Sequence, residues 1–375
     1  MGGTMKISER LQNAPLSGIR KMFDLAAPGS VNLSLGEPDV LPPEAAVTGM
    51  NNAAVKGMNG YGPTPGIMPL REATASRYGS SPGNVMITPS GTAALLMIAQ
   101  SLIDPGDEAL IPSPGFVVYG PHTALSGGRA VEYKLTENDF QPDIDDIQKR
   151  ITKRTKLLFL NFPSNPTGGV LSGSSFRAIR DITKDKGITV VSDEVYEPFV
   201  YGCKHISFVS ELDNSIIVNG FSKMMAVPGW RMGFVIADTE VIRDLTKMAY
   251  HMSACPNMPA QHGILNAMPS INEYLDNVRE TYKKRRDLIT KRINNISGLS
   301  MSAPKGAFYA FPSFSFKMTS EEFAMELVKE KLICVPGSAF GAYGEGHLRF
   351  SYAADEHKIS MGMDILEKVA NNIKR

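Results

Sequence analysis

Short apolar runs alternate with helical periodicity between about residues 85 and 240. The runs 156–161 (KLLFLN) and 188–192 (ITVVS) are continuously apolar and bounded by turns, which is typical of strands buried on both faces. Between them, the amphipathic segment 172–186 begins with serines and is followed by Gly187, which predicts a helix. Further strands are predicted at 85–88, 109–111, 131–135, 215–219 and 232–237, with an apolar helix at 93–103. These units predict an α/β fold with a mostly parallel sheet of the seven-stranded type, covered by helices on both sides.

The pattern changes after residue 240. Helical periodicity dominates to about residue 295, and its charged run 282–286 is typical of a solvated helix face. The remaining segments suggest a smaller α+β domain: 306–311, a helix at 320–331, 333–336, 347–353 and a C-terminal helix. A strand predicted at 31–35 precedes the main alternation, so we assign it to the same domain. The predicted division is an N-terminal arm with part of the small domain at 1–45, a large domain at 46–265 and a C-terminal small domain at 266–375.

Composition excludes several classes of protein. The 375 residues are 43% hydrophobic and 21% charged, as in globular proteins, and the net charge of +1 gives no basic field for nucleic acid. The three cysteines are far apart and the six histidines are dispersed, so we expect no metal site and no disulfide framework. Segment 1–10 lacks an apolar signal core and no apolar run approaches the length of a membrane span. We therefore expect a cytoplasmic protein without membrane or nucleic-acid partners.

Three common motifs are missing or out of context. There is no Gly-Lys-Ser/Thr, which excludes a P-loop, and no GxGxxG opens a helix, which argues against a nicotinamide dehydrogenase. Segment 79–83 (GSSPG) matches the GxSxG nucleophile elbow, which requires a strand before the serine and a helix after it. Here the predicted order is helix and then strand, so we interpret the segment as a turn.

The strongest chemical signal is Lys223, which follows a buried strand in the Gly- and Met-rich segment 220–233. Burial lowers the pKa of a lysine, and this makes its amine available for Schiff-base chemistry. Eight residues later, Arg231 offers a guanidinium suited to a phosphate. Taken alone, the two residues fit a lysine at the protein surface and a surface arginine equally well.

Other polar residues follow neighbouring strands. Asp193 comes directly after the strand at 188–192 and is followed by Tyr196, while Asn165 lies in the turn after the strand at 156–161. Ligands of open α/β sheets bind at the carboxyl ends of the strands. Ser90-Gly91-Thr92 joins a strand to a helix, so its N–H groups form an anion site. Together these residues predict a pocket for a phosphorylated aromatic cofactor.

Several motifs occur in a definite order: LGEPD at 35–39, YGPTPG at 61–66 with LR at 70–71, SGT at 90–92, SNPTG at 164–168, DEVY at 193–196, SK at 222–223 with GWR at 229–231, and LRFS at 348–351. In these motifs the chain resembles the fold-type I, pyridoxal-phosphate-dependent aminotransferases of class I/II, the aspartate aminotransferase superfamily. The resemblance extends over nearly the whole chain.

The resemblance implies pyridoxal 5'-phosphate (PLP) as cofactor and transamination by a ping-pong mechanism. Lys223 would form the Schiff base (internal aldimine) with PLP and act as general base. Asp193 would pair with the pyridine nitrogen, while Asn165 and Tyr196 would hydrogen-bond the ring hydroxyl. Asp193 and Tyr196 are thus counted with Lys223 as catalytic residues.

The resemblance also implies how phosphate and substrate are held. The residues implied for the phosphate are Ser90, Gly91, Thr92, Ser222 and Arg231, with Phe116 stacked on the ring. Arg349 would bind the substrate α-carboxylate, with Gly36 and Asn165 beside it. Tyr61 would reach the phosphate of a neighbouring subunit, which implies a homodimer with shared active sites.

The chain departs from well-known members at three positions. Gly220 replaces a phosphate-binding serine of many relatives, Phe116 replaces a Trp or Tyr, and Thr92 replaces a basic residue that reads the distal carboxylate in some aspartate-specific enzymes. Four aromatic residues hint at an apolar side-chain pocket: Phe116, Tyr119, Tyr309 and Phe340.

Other functions stay open at this point. The PLP ring withdraws electrons from the substrate in several other reactions as well, so the enzyme could also be a carbon–sulfur lyase, a decarboxylase or an aminocyclopropane-type synthase. Another possibility is a non-catalytic ligand sensor; regulators of that type usually add a DNA-binding domain, and we expect about 30 residues before Val31 to leave no room for one.

Overall fold

The computed structural model describes residues 6–12, 18–136 and 139–373. Its strands in chain order are β1 (Val31–Asn32), β2 (Val85–Thr88), β3 (Glu108–Ser113), β4 (Arg129–Lys134), β5 (Thr155–Asn161), β6 (Thr189–Asp193), β7 (Ser215–Gly220), β8 (Gly233–Ile236), β9 (Leu299–Ser300), β10 (Tyr309–Ala310), β11 (Ser313–Phe314), β12 (Leu332–Ile333), β13 (Val335–Pro336) and β14 (Leu348–Ser351).

The α-helices of the same ranges are α1 (Glu9–Gln12), α2 (Gly18–Asp24), α3 (Glu44–Val55), α4 (Met68–Tyr78), α5 (Gly91–Leu102), α6 (Tyr119–Leu125), α7 (Ile144–Arg150), α8 (Gly173–Lys186), α9 (Phe221–Met224), α10 (Thr239–Ser253), α11 (Met258–Ala267), α12 (Ile271–Asn294), α13 (Ser320–Lys329) and α14 (Glu356–Ile373). Among these helices, none is both long enough and apolar enough to cross a membrane.

A seven-stranded sheet in the order β2-β8-β7-β6-β5-β3-β4 forms the centre of the molecule. Strands β3 to β7 run parallel, and β8 is antiparallel to both of its neighbours, β2 and β7. The predicted α/β fold with a mostly parallel sheet is therefore confirmed. Apolar clusters cover both faces, which explains why the central strands are continuously apolar.

The register of the sheet sets the position of the polar strand ends. Asn161, the last residue of β5, is the register partner of Asp193, the last residue of β6. Asp193 in turn pairs with Val218 of β7, two residues before that strand ends at Gly220. Parallel strands thus bring three carboxyl ends to one edge of the sheet.

Small sheets join the two ends of the chain. Strand β1 pairs in parallel with β12, Val31 opposite Leu332, and β14 lies between β10 and β13. The strand predicted at 31–35 is shorter than expected, although the Leu33 N–H still donates to the Ile333 carbonyl at 2.9 Å. The domain boundaries at residues 45 and 265 stay a prediction.

Two other predicted segments differ in their bounds. The helical region after residue 240 consists of α10, α11 and α12, and Pro256 and Pro269 lie at the two junctions, where proline removes a backbone donor. The helix predicted at 320–331 ends at Lys329 because Lys331 has a left-handed φ of 67°. The GxSxG segment is a turn, as predicted: α4 ends at Tyr78 and β2 begins at Val85.

Candidate active site

A cavity of about 230 Å³ lies at the carboxyl ends of the central strands. It is lined by nearly all the residues singled out from the sequence: Gly36, Ser90, Gly91, Thr92, Phe116, Asn165, Asp193, Tyr196, Ser222, Lys223, Arg231 and Arg349. Tyr61 does not line this cavity, and its side chain is 92% exposed. The chain thus brings together residues from positions 36 to 349.

Lys223 lies in the short helix α9, directly after β7. Its Nζ donates a hydrogen bond to the Gly36 carbonyl oxygen. Burial lowers the pKa of Lys223 to about 8; Glu37 opposes this shift, and the positive charges of Arg231 and Arg349 add to it. An amine with such a pKa is partly uncharged near neutral pH, which is the form that attacks a carbonyl or accepts a proton.

Asp193 is 3% exposed at the end of β6. The Tyr119 hydroxyl donates to its Oδ2 at 2.8 Å, and the Val195 N–H donates to its Oδ1 at 3.3 Å. Burial raises the pKa of Asp193 to about 6, and the Tyr119 hydrogen bond opposes the rise. A cation placed against this carboxylate would offset its desolvation and keep it ionised.

The start of α5 forms another wall of the cavity. Ser90 caps the helix: it has a φ of 125°, and its Oγ accepts a hydrogen bond from the Ala93 N–H at 3.0 Å. A Cβ at Gly233 would lie 2.5 Å from the Gly91 nitrogen, so glycine there lets β8 approach the helix start. The first-turn N–H groups and the guanidinium of Arg231, an exposed residue of left-handed φ, border one cavity. This arrangement suits a phosphate.

Arg349 in β14 is 1% exposed. Its Nη1 donates to Asn165 Oδ1 at 2.8 Å, its Nη2 donates to the Ser34 carbonyl, and its Nε has no hydrogen-bond partner. The guanidinium carbon lies 4.6 Å from the centre of the Tyr309 ring and 5.0 Å from that of Phe340. A buried, charged fork held in this way, with a donor to spare, is suited to a carboxylate.

Two tyrosines close the cavity between these parts. The hydroxyls of Tyr196 and Tyr309 are 2.5 Å apart, and burial raises the pKa of Tyr196 well above its ordinary value. A Cβ on residue 36 would overlap the Tyr309 hydroxyl, so only glycine fits between Tyr309 and Lys223. Gly36 is therefore a steric requirement of the site as well as a source of the carbonyl.

The donor set fits PLP. The cavity offers an amine of lowered pKa for the aldehyde, a buried carboxylate for the ring nitrogen and a helix start with an arginine for the phosphate. By contrast, no group of three His, Cys, Asp or Glu side chains arranged for a metal ion occurs among the described residues.

The sequence did not single out three supporting residues. Asn161 Oδ1 accepts from the Asn165 N–H at 2.8 Å, Tyr119 bonds Asp193, and Ile19 of α2 lines the cavity. A polar residue at the end of an apolar strand is a sequence signal for Asn161, whereas the sequence identifies Tyr119 only as an aromatic residue of a possible side-chain pocket. No motif points to Ile19, because it reaches the site only through long-range packing.

The fold and the cavity define an α/β enzyme with a buried lysine just beyond the carboxyl end of a central strand. The sequence profile described as "Aminotransferase class I and II" matches residues 28–366. The chain is 38% identical to aromatic-amino-acid aminotransferase 2 of Thermococcus litoralis, over 99% of this chain and 100% of that protein. It is also 38% identical, with the same coverage, to an aspartate aminotransferase of Pyrococcus abyssi.

Solved structures agree. Alanine aminotransferase from Pyrococcus furiosus superimposes with a TM-score of 0.93 at 33% identity, covering 98% of this chain and 100% of that one. The chain therefore belongs to the class I and II aminotransferase family, of the fold-type I PLP superfamily, and is an enzyme of transamination. The resemblance stated from the motifs is confirmed.

Proposed function

We propose that this enzyme moves an amino group from an L-amino acid to a 2-oxo acid with PLP held by Lys223. The observation that carries the proposal is the buried Lys223, of lowered pKa, in one cavity with Asp193 and Arg349. Relatives named for different amino acids support the reaction without fixing the substrate.

Each group of the cofactor has a counterpart in the chain. Asp193 would face the ring nitrogen, Asn165 and Tyr196 the ring hydroxyl, and Phe116 the ring face. Ser90, Gly91, Thr92, Ser222 and Arg231 would hold the phosphate. When bound, PLP supplies an electron sink for the negative charge that develops at the substrate Cα.

The chain itself does the binding and the proton transfer. Arg349 binds the α-carboxylate and so fixes the Cα relative to Lys223. Lys223 Nζ, in its uncharged form, would take the proton from the substrate Cα as general base and deliver it to the aldehyde-derived carbon of the cofactor, so that the amino group stays with the cofactor. Asn165 accepts a hydrogen bond from Arg349 at 2.8 Å. Asn165 would therefore contact both the arginine that binds the substrate carboxylate and the ring hydroxyl of the cofactor.

A homodimer belongs to the same proposal. Tyr61, Val55 and Leu41 are 92%, 88% and 85% exposed, so these apolar side chains are accessible to a second chain. In the dimer, Tyr61 would reach the partner's phosphate. Analytical ultracentrifugation should give twice the mass of one chain, and Tyr61→Ala should weaken PLP binding without loss of the fold. The cytoplasmic location and the three-part domain division stay predictions.

The test of the reaction is a half-reaction. The purified enzyme should be yellow, and borohydride should fix PLP to the peptide that contains Lys223, as read by mass spectrometry. One amino donor without oxo acid should convert the cofactor to its amine form in a 1:1 ratio. Release of ammonia and sulfide would instead identify a carbon–sulfur lyase, release of carbon dioxide a decarboxylase, and loss of a thioether with ring closure an aminocyclopropane-type synthase. A colourless protein that takes up no PLP would contradict the proposal.

A further inference from the structure

A second cavity, of about 490 Å³, adjoins the first. Its apolar wall is made by Ile19, Phe23, Leu35, Phe116, Val117 and Val118. Ile19 and Phe116 line both cavities, so these two side chains form the boundary between them. A molecule bound in the first cavity therefore has an apolar space directly beside it.

The ionisable groups of this second cavity are Arg20 and His122. Arg20 Nε lies 2.9 Å from the Asp24 carboxylate, and its guanidinium carbon lies 5.0 Å from the centre of the Phe23 ring. Burial lowers the pKa of His122 to about 4, so its imidazole is neutral at neutral pH. Among the described residues, the second cavity thus offers only an arginine that is already paired and an uncharged imidazole. This is a poor environment for the side-chain carboxylate of an acidic substrate.

The apolar wall continues to Arg349. The Phe340 ring, 5.0 Å from the Arg349 guanidinium carbon, packs with Phe311 and Val335 in a cluster against which Ile19 lies. A Cβ on Gly18 would come within 2.7 Å of Ala339 Cβ, so glycine at that position lets α2 approach the cluster. A carboxylate bound by Arg349 consequently lies next to the apolar face that contains Ile19.

We propose that the second cavity receives the side chain of the amino donor, and that the preferred donors are L-amino acids with a large apolar side chain, aromatic or long aliphatic. This inference rests on the proposed function. The names of relatives do not decide it, because they include both aromatic and aspartate aminotransferases.

Binding of unreactive analogues tests the inference without turnover. Isothermal titration calorimetry of the PLP-loaded enzyme would compare 3-phenylpropionate with succinate: both have a carboxylate for Arg349, and neither has an amine. We expect 3-phenylpropionate to bind at least about tenfold more tightly. Ile19→Ala should weaken its binding by about tenfold and leave that of propionate unchanged, because propionate does not reach the wall.

The matched control is Ile373→Ala, the same change at a partly buried isoleucine that lines neither cavity. This control should leave the affinities for 3-phenylpropionate and for propionate unchanged. Val117→Ala repeats the test at a second wall residue, should Ile19→Ala unfold. Equal or tighter binding of succinate, or an unchanged affinity in both wall variants, would overturn the inference.

Failure of the inference and failure of the proposed function are distinguishable. If aspartate converts the cofactor to its amine form faster than phenylalanine does, transamination stands and the side-chain preference is wrong. If neither amino acid converts the cofactor while 3-phenylpropionate still binds, the cavity assignment stands and the reaction is wrong.

Discussion

The two ends of the active-site cavity are built in different ways. The lysine end, with Asp193 and Lys223, consists of the carboxyl ends of neighbouring strands in one sheet. The arginine end, with Ser34, Gly36 and Arg349, consists of segments more than three hundred positions apart in the chain, joined by the hydrogen bond from Arg349 to the Ser34 carbonyl.

The difference shows what fixes each side chain. At the lysine end, sheet register alone places Asn161 beside Asp193. At the arginine end, position depends on long-range contacts, among them the bond of Nη1 to Asn165. We expect changes at the lysine end to alter chemistry and proton binding, and changes at the arginine end to alter substrate affinity.

The largest expected effect is at the lysine end. Lys223→Ala removes the amine that would hold PLP and move the Cα proton, and we expect kcat to fall by about 10⁴-fold or more. Rapid-quench measurement of one turnover would detect it. Lys184→Ala, at an exposed lysine paired with Asp213, is the control and should keep full activity. Activity above a tenth of normal in Lys223→Ala would remove the lysine from the mechanism.

The second effect is on stability. In the PLP-free enzyme the folded pKa of Asp193, about 6, exceeds the unfolded value of about 3.9, so the folded protein retains a proton that the unfolded chain loses. Its contribution to stability is present below about pH 4 and declines up to about pH 6, by roughly 3 kcal/mol. Denaturant unfolding of the wild type and Asp193→Asn should show this difference in pH dependence. Parallel curves would refute it.

The third effect is at the arginine end. Arg349→Lys keeps the charge but loses the fork, so KM for the amino donor should rise by about 10- to 100-fold with a smaller change in kcat. Steady-state kinetics would separate the two constants. Arg150→Lys, at an ion pair with Asp146 on α7, should change neither. A decrease mainly in kcat would show that Arg349 acts in the chemical step, and would contradict the proposed difference between the two ends of the cavity.

The smallest expected effect comes from the loss of a single hydrogen bond, the one between Tyr119 and Asp193. Tyr119→Phe removes the 2.8 Å bond to Asp193 and should raise that carboxyl's pKa further at a stability cost of about 1 kcal/mol. Tyr133→Phe removes a bond of the same length to the Phe159 carbonyl and should cost a similar amount. Only the first variant should shift the pH dependence of stability. The same shift in the pH dependence of stability in both variants would show that it does not arise from the hydrogen bond to Asp193.

The sequence predicted the two ends unequally well. Strand periodicity and the carboxyl-end rule placed Asp193 and Asn165, since both depend on local pattern and sheet direction. Arg349 and Gly36 were reached only through the family resemblance, because no local pattern encodes a contact between distant segments. Tyr119 was seen only as an aromatic residue: its hydroxyl gains its role from tertiary packing against Asp193.

The pairing of β1 with β12 also has a consequence for biosynthesis. Val31 leaves the ribosome early, whereas its partner Leu332 is made almost at the end of translation. At about 5–20 residues per second, the N-terminal strand waits roughly 15–60 s for its neighbour. The central sheet has all its strands by Ile236 and is free to fold during that interval. Ser34 and Arg349 can meet only after Arg349 has been synthesised, so the sheet can fold on the nascent chain before the guanidinium of Arg349 reaches its site.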